Sequence, residues 1–471
     1  MAMLRRSIKD LRGFLDLLEE SDQLATVDVE VDPLLEIAAI TDRVCKQTGG
    51  GKALRFNKVR GAKFPVLTNL FGSRQRTAWA LWTDHVQYQA DRLAADLKAI
   101  DGGSGEEKLW QLVENPLWLP RLISNPPCQE VVEKERPDIS IIPALKSWPH
   151  DGGRFLTMPM VFTRDPATGR DNCGMYRAQL FAPQLLGLHW GEMSDGARHA
   201  AAWQSRGKPM PVAIVLGGDP VLTYTATAPL PPGIEETAFA GYLRQKSIET
   251  ARCLTSDLEV PARAEFVIEG YVLPNQTLPE GPFGNHTGYY APLEPAPVMQ
   301  VTAITHRKDA LYPCTVVGRP PMENCYLAKA TERLFLPLIQ ADHPEVVDLN
   351  MPVEGIFHGC ALVSICKEEA GQGRRIIHEL WERGMLRGSR LLVILDQDVR
   401  IQDLAESFWR TINHLDPNRD VVIGGSRIGI DATRKGPDEG KKRAWPPAVK
   451  LDDKTRRQVE RRWEEYGIDK L

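Results

Sequence analysis

The sequence predicts a multidomain α+β protein, and three observations carry that prediction. At 471 residues the chain exceeds what one hydrophobic core ordinarily organises, so two to four domains are expected. From about 155 to 310 the apolar runs are short, rich in β-branched residues and bounded by Gly, Pro or charge, with few long helices between them, as in a barrel or sandwich. Beyond that point strands alternate with helices, as in an α/β layer.

The elements follow in chain order. Leu11, Phe14, Leu15 and Leu18 fall at i, i+3, i+4 and i+7, one face of a first helix, and Ser7 with Asp10 resembles a capping box. Residues 34 to 47 read as a second helix, stopped by the "TGGG" run at 48–51. Residues 101 to 150, with "DGGSGEE", "NPLWLP" and "ERPDISIIPALKSWP", have the composition of a connecting segment. "PVAIVLGGDP" (211–220), "AEFVIEGYVL" (264–273) and "PVMQVTAITHR" (297–307) read as strands. "ALVSICK", a helix at 371–385, "SRLLVILDQDV", a helix at 401–414 and "DVVIGG" then alternate. The closing "DDKTRRQVERRWEEYG" is a charged helix with Val459, Trp463 and Tyr466 on one face and Gly467 as its stop. That stripe is too apolar for a free tail and is expected to pack on another subunit or on the core.

Composition narrows the function classes. Apolar residues make up 42% and charged residues 25%, the profile of a soluble globular protein. A net charge of −4 gives no basic footprint for nucleic acid or an anionic membrane. No apolar run approaches the roughly 20 residues that cross a bilayer, so no transmembrane segment is expected. The start, "MAMLRRSIKDLRGFLDLLEES", lacks the pattern of a signal peptide, which makes the cytoplasm the expected location. Eight scattered cysteines contain no CxxC pair and read as buried free thiols in a reducing compartment.

Several stretches carry chemistry. "PEGPFGNHTGYY" (279–290) sets Glu280, Asn285 and His286 close together among turn residues, more polar chemistry than a turn requires. Arg177, inside the apolar run "DNCGMYRAQLF" (171–181), needs a carboxylate or an anionic ligand if buried. It is either half of a structural ion pair or a clamp for a substrate carboxylate. "GGDPVLTYTATAPLPPGIEE" (217–236) has small residues that let backbone N–H groups approach phosphate, but it matches neither the P-loop nor the dinucleotide fingerprint. It reads equally as a surface loop whose Glu235 and Glu236 open a helix. His189, beside Trp190 in "GLHWGEM", is a ligand or an ordinary core or surface histidine.

Taken together and in order, "DNxGxYR", "GGDPxxxxxAxxPxPxGIxE", "VPARAEFVIEGY", "PEGPFGNHTGYY", "GRPPxE" and "SRIGIDATRK" resemble the UbiD family of decarboxylases, which use prenylated flavin mononucleotide (prFMN). The resemblance runs from the first helix to about residue 436. It implies an N-terminal α/β domain (1–115), a central split β-barrel similar to flavin reductases that binds prFMN (116–312), a C-terminal α/β domain (313–435), and a tail with an oligomerisation helix (436–471). A homo-oligomer, dimer or hexamer, is implied, as is a flavin prenyltransferase as the source of the cofactor. By the same resemblance Asn172, His189 and Glu236 hold a divalent cation, Mn2+ or Mg2+, on the flavin phosphate, with K+ beside it, and Met175, Tyr176, Arg177 and Trp190 surround the cofactor. An amide, a carboxylate and an imidazole suit such a cation.

Glu280 and Arg177 match two members of the family's Glu–Arg–acid network. The third, the acid that protonates the product, is Asn285 here, and an amide holds geometry but delivers no proton. Glu280 is therefore the expected donor, with an electron-rich phenolic or heteroaromatic substrate that needs less acid assistance. Leu327, Ala328, Thr411 and His414 line the substrate pocket by family position. The implied reaction is reversible exchange between an aromatic carboxylic acid and its CO2-free product. The alternative, opened by the missing acid, is an auxiliary or non-catalytic flavin-binding subunit of a multi-subunit aromatic carboxylase.

Overall fold

Asp10 starts the first helix, Leu11–Glu20: its carboxylate accepts the Gly13 N–H, and Leu11, Phe14, Leu15, Leu17 and Leu18 face the core. The computed structural model describes residues 8–440 and 445–468, so the expected Ser7 contribution to the cap lies outside the described residues. The second helix runs Glu36–Cys45 and a short turn at Thr48–Gly50 ends it. An N-terminal sheet orders Leu24–Val27, Ala53–Phe56, Val66–Thr68 and Tyr312–Pro313. Its last strand arrives after the whole central region, which ties the two regions together.

One expectation fails here. "DGGSGEE" is not part of a connector but the start of a helix, Gly105–Val113. Ser104 accepts from Glu107 N and the Glu107 carboxylate answers to Ser104 N, a capping box that outweighs the glycines.

The central region is a nine-stranded antiparallel sheet. Its path runs Phe155–Leu156, Ala178–Ala182, Leu185–Leu188, Glu294–His306, Phe266–Glu280, Met210–Leu216, Met160–Arg164, Asp171–Met175, with Val131–Glu133 added on Glu294–His306. The first and last strands of this path do not pair with each other, so the sheet does not close into a barrel. The helix Glu323–Asp342 leads out of it and packs on Val86–Lys98 of the N-terminal region. It then delivers the chain to a five-stranded sheet in the order Val346–Asn350, Cys360–Ile365, Leu391–Asp396, Arg427–Asp431, Val421–Gly424. The helices Gln372–Glu382 and Leu404–His414 pack on that sheet.

The segment 217–226 is buried throughout and is not a surface loop. Asp219 caps the helix Pro220–Thr225 and pairs with buried Arg244. All eight cysteines are unpaired; six are buried, while Cys360 and Cys366 are only partly so. No helix among the described residues is long and apolar enough to cross a membrane. The terminal helix Asp453–Arg461 buries no residue, and Trp463 and Tyr466 touch each other edge-on while remaining exposed. The stripe therefore does not pack on the chain's own core among the described residues.

Candidate active site

Glu280 is the last residue of the long strand Phe266–Glu280, and its side chain is fully buried. Arg177 sits in the break between the strands Asp171–Met175 and Ala178–Ala182 and grips both carboxylate oxygens, Nε to Oε1 at 2.7 Å and Nη2 to Oε2 at 2.8 Å. The guanidinium lies 4.6 Å from the Phe283 ring centroid. His189 Nδ1 faces the same pair, 3.1 Å from Arg177 Nη2 and 3.2 Å from Glu280 Oε2. Burial alone would raise the Glu280 carboxyl, but hydrogen bonds and charge from Arg177 and His189 outweigh it and hold it down at about 2. Nη1 of Arg177 keeps no hydrogen-bond partner among the described residues, so the guanidinium has a free edge for a second anion.

The loop that follows Glu280 is clamped by its backbone. Gly281 N donates to Gln179 Oε1 (2.8 Å), Gly152 N to Pro282 O (2.7 Å) and Gly284 N to Asp151 Oδ1 (2.7 Å). Gly281 has φ +98°, open only to glycine without strain, and a Cβ on Gly284 would overlap Trp148. The Asp151 carboxylate also accepts Ser147 N and Trp148 N, and Trp148 Nε1 donates to Val317 O at 2.8 Å. Trp148, Asp151, Gln179 and Phe283 were not singled out from the sequence. Trp148 and Asp151 fall in "WPHDGG" (148–153), which signals only a turn, while Gln179 and Phe283 lie unremarked inside "DNCGMYRAQLF" and "PEGPFGNHTGYY".

Asn285 holds its neighbour instead of facing Glu280 through a hydrogen bond. Its Oδ1 accepts the His286 backbone N–H at 2.7 Å and lies 2.5 Å from His286 Nδ1. The His286 ring stacks at 5.6 Å on Phe357 and lies 5.0 Å from His358, both from the C-terminal region.

A second cluster surrounds Asn172. The register places Asn172 opposite Thr163, and its Nδ2 donates to Thr163 Oγ1 at 3.2 Å. Glu236 opens the helix Glu236–Arg244 and accepts Cys173 N at 2.7 Å, while Glu235 accepts Asp171 N at 3.2 Å. The tandem carboxylates thus pin a helix start to the strand that carries Asn172. Glu236 is buried with no cationic side chain among the described residues bonded to it, and burial pushes its carboxyl up to about 8. A bound cation would supply the missing charge, so Asn172 and Glu236 fit a metal site. His189, turned by Nδ1 toward Arg177 and Glu280, has only Nε2 left to offer. Beside Asn172 opens a cavity of about 390 Å3 that also meets Arg170, Arg198, His199 and Gly233. Met175 N donates to Ala226 O, Tyr176 Oη accepts Gly196 N, and Tyr176 meets Trp190 edge-to-face at 6.0 Å.

The four pocket residues fall elsewhere in the contact pattern. Leu327 is buried and Ala328 half-buried on the helix Glu323–Asp342. Thr411 bonds back to Ser407 O, and His414 Nδ1 pairs with Ala432 O at 2.9 Å with its ring beside Trp445. No hydrogen bond, ion pair or ring contact among the described residues joins these four to Arg177 or Glu280.

Three family profiles, those of the 3-octaprenyl-4-hydroxybenzoate carboxy-lyase N-terminal, Rift-related and C-terminal domains, match residues 15–94, 121–320 and 325–443. The chain belongs to the UbiD family. An uncharacterized protein of Archaeoglobus fulgidus is 42% identical, with 97% of this chain and 98% of that protein covered. The prFMN complex of an evolved dimeric form of the UbiD-class enzyme HmfF from Pelotomaculum thermopropionicum has a TM-score of 0.80 at 30% identity, covering 94% of this chain and 99% of that one. The closed form of Sedimentibacter hydroxybenzoicus vanillic acid decarboxylase has a TM-score of 0.86 at 26% identity, covering 97% and 99%. The open form of that enzyme has a TM-score of 0.76 at 25% identity, covering 98% and 99%.

Proposed function

We propose that the chain is a carboxy-lyase that reversibly decarboxylates an electron-rich aromatic carboxylic acid with prFMN as cofactor. The buried bidentate Arg177–Glu280 pair, with Nη1 of Arg177 unspent, is the observation that carries this reading. Nη1 is not among the buried unpaired atoms, so this donor edge stays open to an incoming anion beside the fully buried carboxylate.

When bound, prFMN supplies the electron sink for loss of CO2. Arg177 orients the substrate carboxylate through Nη1, and that attraction lapses as the group leaves as neutral CO2. While the substrate anion shares the guanidinium, Glu280 loses part of the charge that keeps it ionised, gains proton affinity and takes up one proton from water. Once CO2 has gone, Arg177 again favours the carboxylate form, and Glu280 gives its proton to the ring carbon. Asn285 has no proton to give and serves to fix the loop.

Asn172, Glu236 and His189 through Nε2 would hold Mn2+ or Mg2+ against the flavin phosphate, with K+ beside it. The neighbouring cavity is lined by Arg170 and Arg198 but also by Asp165, Asp171 and Asp195, with Arg198 paired to Asp195 and Arg170 to Glu114, so the bound cation rather than the cavity wall would offset the phosphate charge. We read the open nine-stranded sheet as the split-barrel platform for the flavin, and Leu327, Ala328, Thr411 and His414 as the more distant pocket wall. The cofactor would come from a flavin prenyltransferase. The exposed tail helix supports a homo-oligomer, and the unpaired cysteines support a cytoplasmic setting.

The test is CO2 release from a panel of phenolic and heteroaromatic acids by the purified chain reconstituted with prFMN and Mn2+. Release supports the enzyme reading. No release from the panel, and none on adding other subunits, would defeat it; release only with other subunits would favour the auxiliary role.

A further inference from the structure

His286 has a ring nitrogen that the site described so far leaves unused. Asn285 Oδ1 can only accept, so at 2.5 Å it fixes the ring proton on Nδ1 of His286. Nε2 is then a lone-pair acceptor, and it is buried without a hydrogen-bond partner. A buried acceptor left unpaired is costly, which is why such atoms are rare and call for a reason.

The surroundings supply one. Phe357 stacks on the ring at an interplanar angle of 29°, and His358 closes a second side. Both belong to a segment in which Ile356 and Phe357 adopt φ values of 55° and 39°. A β-branched and an aromatic residue avoid that left-handed region, and strain of this kind concentrates in ligand clamps. Burial, then the charges of His358 and Arg177, hold the His286 ring down at about 4, so it is neutral near pH 7 and accepts rather than donates. His286 lies six residues beyond Glu280, in the same loop that Gly284 anchors to Asp151.

We propose that His286 is a specificity-determining residue whose Nε2 accepts a hydrogen bond from an N–H or O–H carried by the aromatic ring of the substrate. This rests on the decarboxylase reading above and narrows its substrate class to acids with a ring donor. With the substrate carboxylate on Arg177, such a donor pairs the orphan nitrogen. A ring that presents only C–H leaves it unpaired, and a ring oxygen sets lone pair against lone pair.

Two matched pairs test this on the prFMN-reconstituted enzyme. Pyrrole-2-carboxylate and furan-2-carboxylate differ by a donor N–H against an acceptor oxygen at nearly equal size, and 4-hydroxybenzoate and benzoate differ by a phenolic O–H. CO2 release gives kcat/KM, and titration calorimetry on the same holoenzyme gives affinity without needing turnover. The wild type should favour the donor-bearing acid in one pair by about 5- to 150-fold, the range for one buried hydrogen bond left unmade. The first pair favoured means a ring N–H; the second means a phenol. His286→Phe keeps a ring on Phe357 but removes the acceptor, and the ratio should fall to near one. His286→Gln restores an acceptor and part of the ratio. A merely structural role would weaken both acids alike and leave their ratio unchanged, which would overturn the assignment. So would a wild type that binds both members of each pair equally. CO2 release without discrimination sinks the assignment but not the reaction; a clear calorimetric ratio without CO2 release does the reverse.

Discussion

Replacing Asp151 should loosen the loop that carries Glu280, and the structure sets the size of the effect. Asp151 accepts three backbone N–H groups, from Ser147 (3.0 Å), Trp148 (2.8 Å) and Gly284 (2.7 Å), and of these Ser147 and Gly284 are buried. Asp151→Ala strands those two donors away from water, each at about 1–3 kcal/mol, so a loss of about 2–6 kcal/mol is expected. That is a large part of the roughly 5–15 kcal/mol that stabilises a typical domain. Asp151→Asn keeps one acceptor oxygen but turns an N–H toward a remaining donor, and should cost about 1–3 kcal/mol. Urea unfolding followed by tryptophan fluorescence measures both, and kcat/KM for CO2 release should fall in step because the Gly284 anchor sets the position of Glu280. The pH dependence has a definite sign. Burial, opposed by those three hydrogen bonds, raises the Asp151 carboxyl above its ordinary value. The folded state therefore holds this proton more tightly than the unfolded chain. Its contribution is fully present below the ordinary carboxyl value and is lost as pH rises through the raised one. Wild type should thus gain on Asp151→Asn as pH is lowered through that window. An Asp151→Ala protein within 0.5 kcal/mol of wild type, on the order of an ordinary surface change, would refute the reasoning, as would full activity in a clearly destabilised variant.

Three further outcomes are expected. Glu236→Ala should yield a folded protein that retains neither divalent metal nor flavin, read by metal analysis and flavin absorbance, and full retention of both would move the site elsewhere. In Gly152→Ala the added Cβ would overlap the carbonyl oxygen of Gly281, a backbone atom that cannot swing aside, so thermal unfolding should show a loss of about 1–3 kcal/mol. Truncation after residue 450 removes the exposed Trp463–Tyr466 stripe and should lower the mass seen by light scattering; an unchanged mass would mean that the tail plays no part in assembly.

The sequence displays those parts of this molecule whose causes are local. The spacing of Leu11, Phe14, Leu15 and Leu18 sets a helix face whatever surrounds it, and the short β-branched runs around 211–216 and 266–273 become neighbouring strands of the central sheet. Glu280 and Arg177 stood out because a carboxylate among glycines and a guanidinium in an apolar run both demand explanation. Their partnership spans 103 residues, and no local pattern encodes it. The same holds for Asp151 and Gly284, joined across 133 residues, and for the turn of His189 Nδ1 toward Glu280. The helix Gly105–Val113 was missed for a different reason: its glycines read as a linker, while the decisive signal was the Ser104 and Glu107 pair three residues apart. His286 was visible, but its orphan nitrogen depends on which atom of Asn285 it meets and on Phe357 and His358 arriving from another region of the chain.

The central claim is that Glu280, governed by Arg177, carries the proton exchanged for CO2. Hydrogen–deuterium exchange at the reacting ring carbon of the decarboxylated product, followed by NMR in deuterated water with the prFMN-loaded enzyme, tests it most directly. Wild type should exchange that proton, Glu280→Gln should abolish the exchange, and His286→Gln should retain much of it. Rapid exchange in Glu280→Gln would contradict the account and pass the proton to His286 or to solvent.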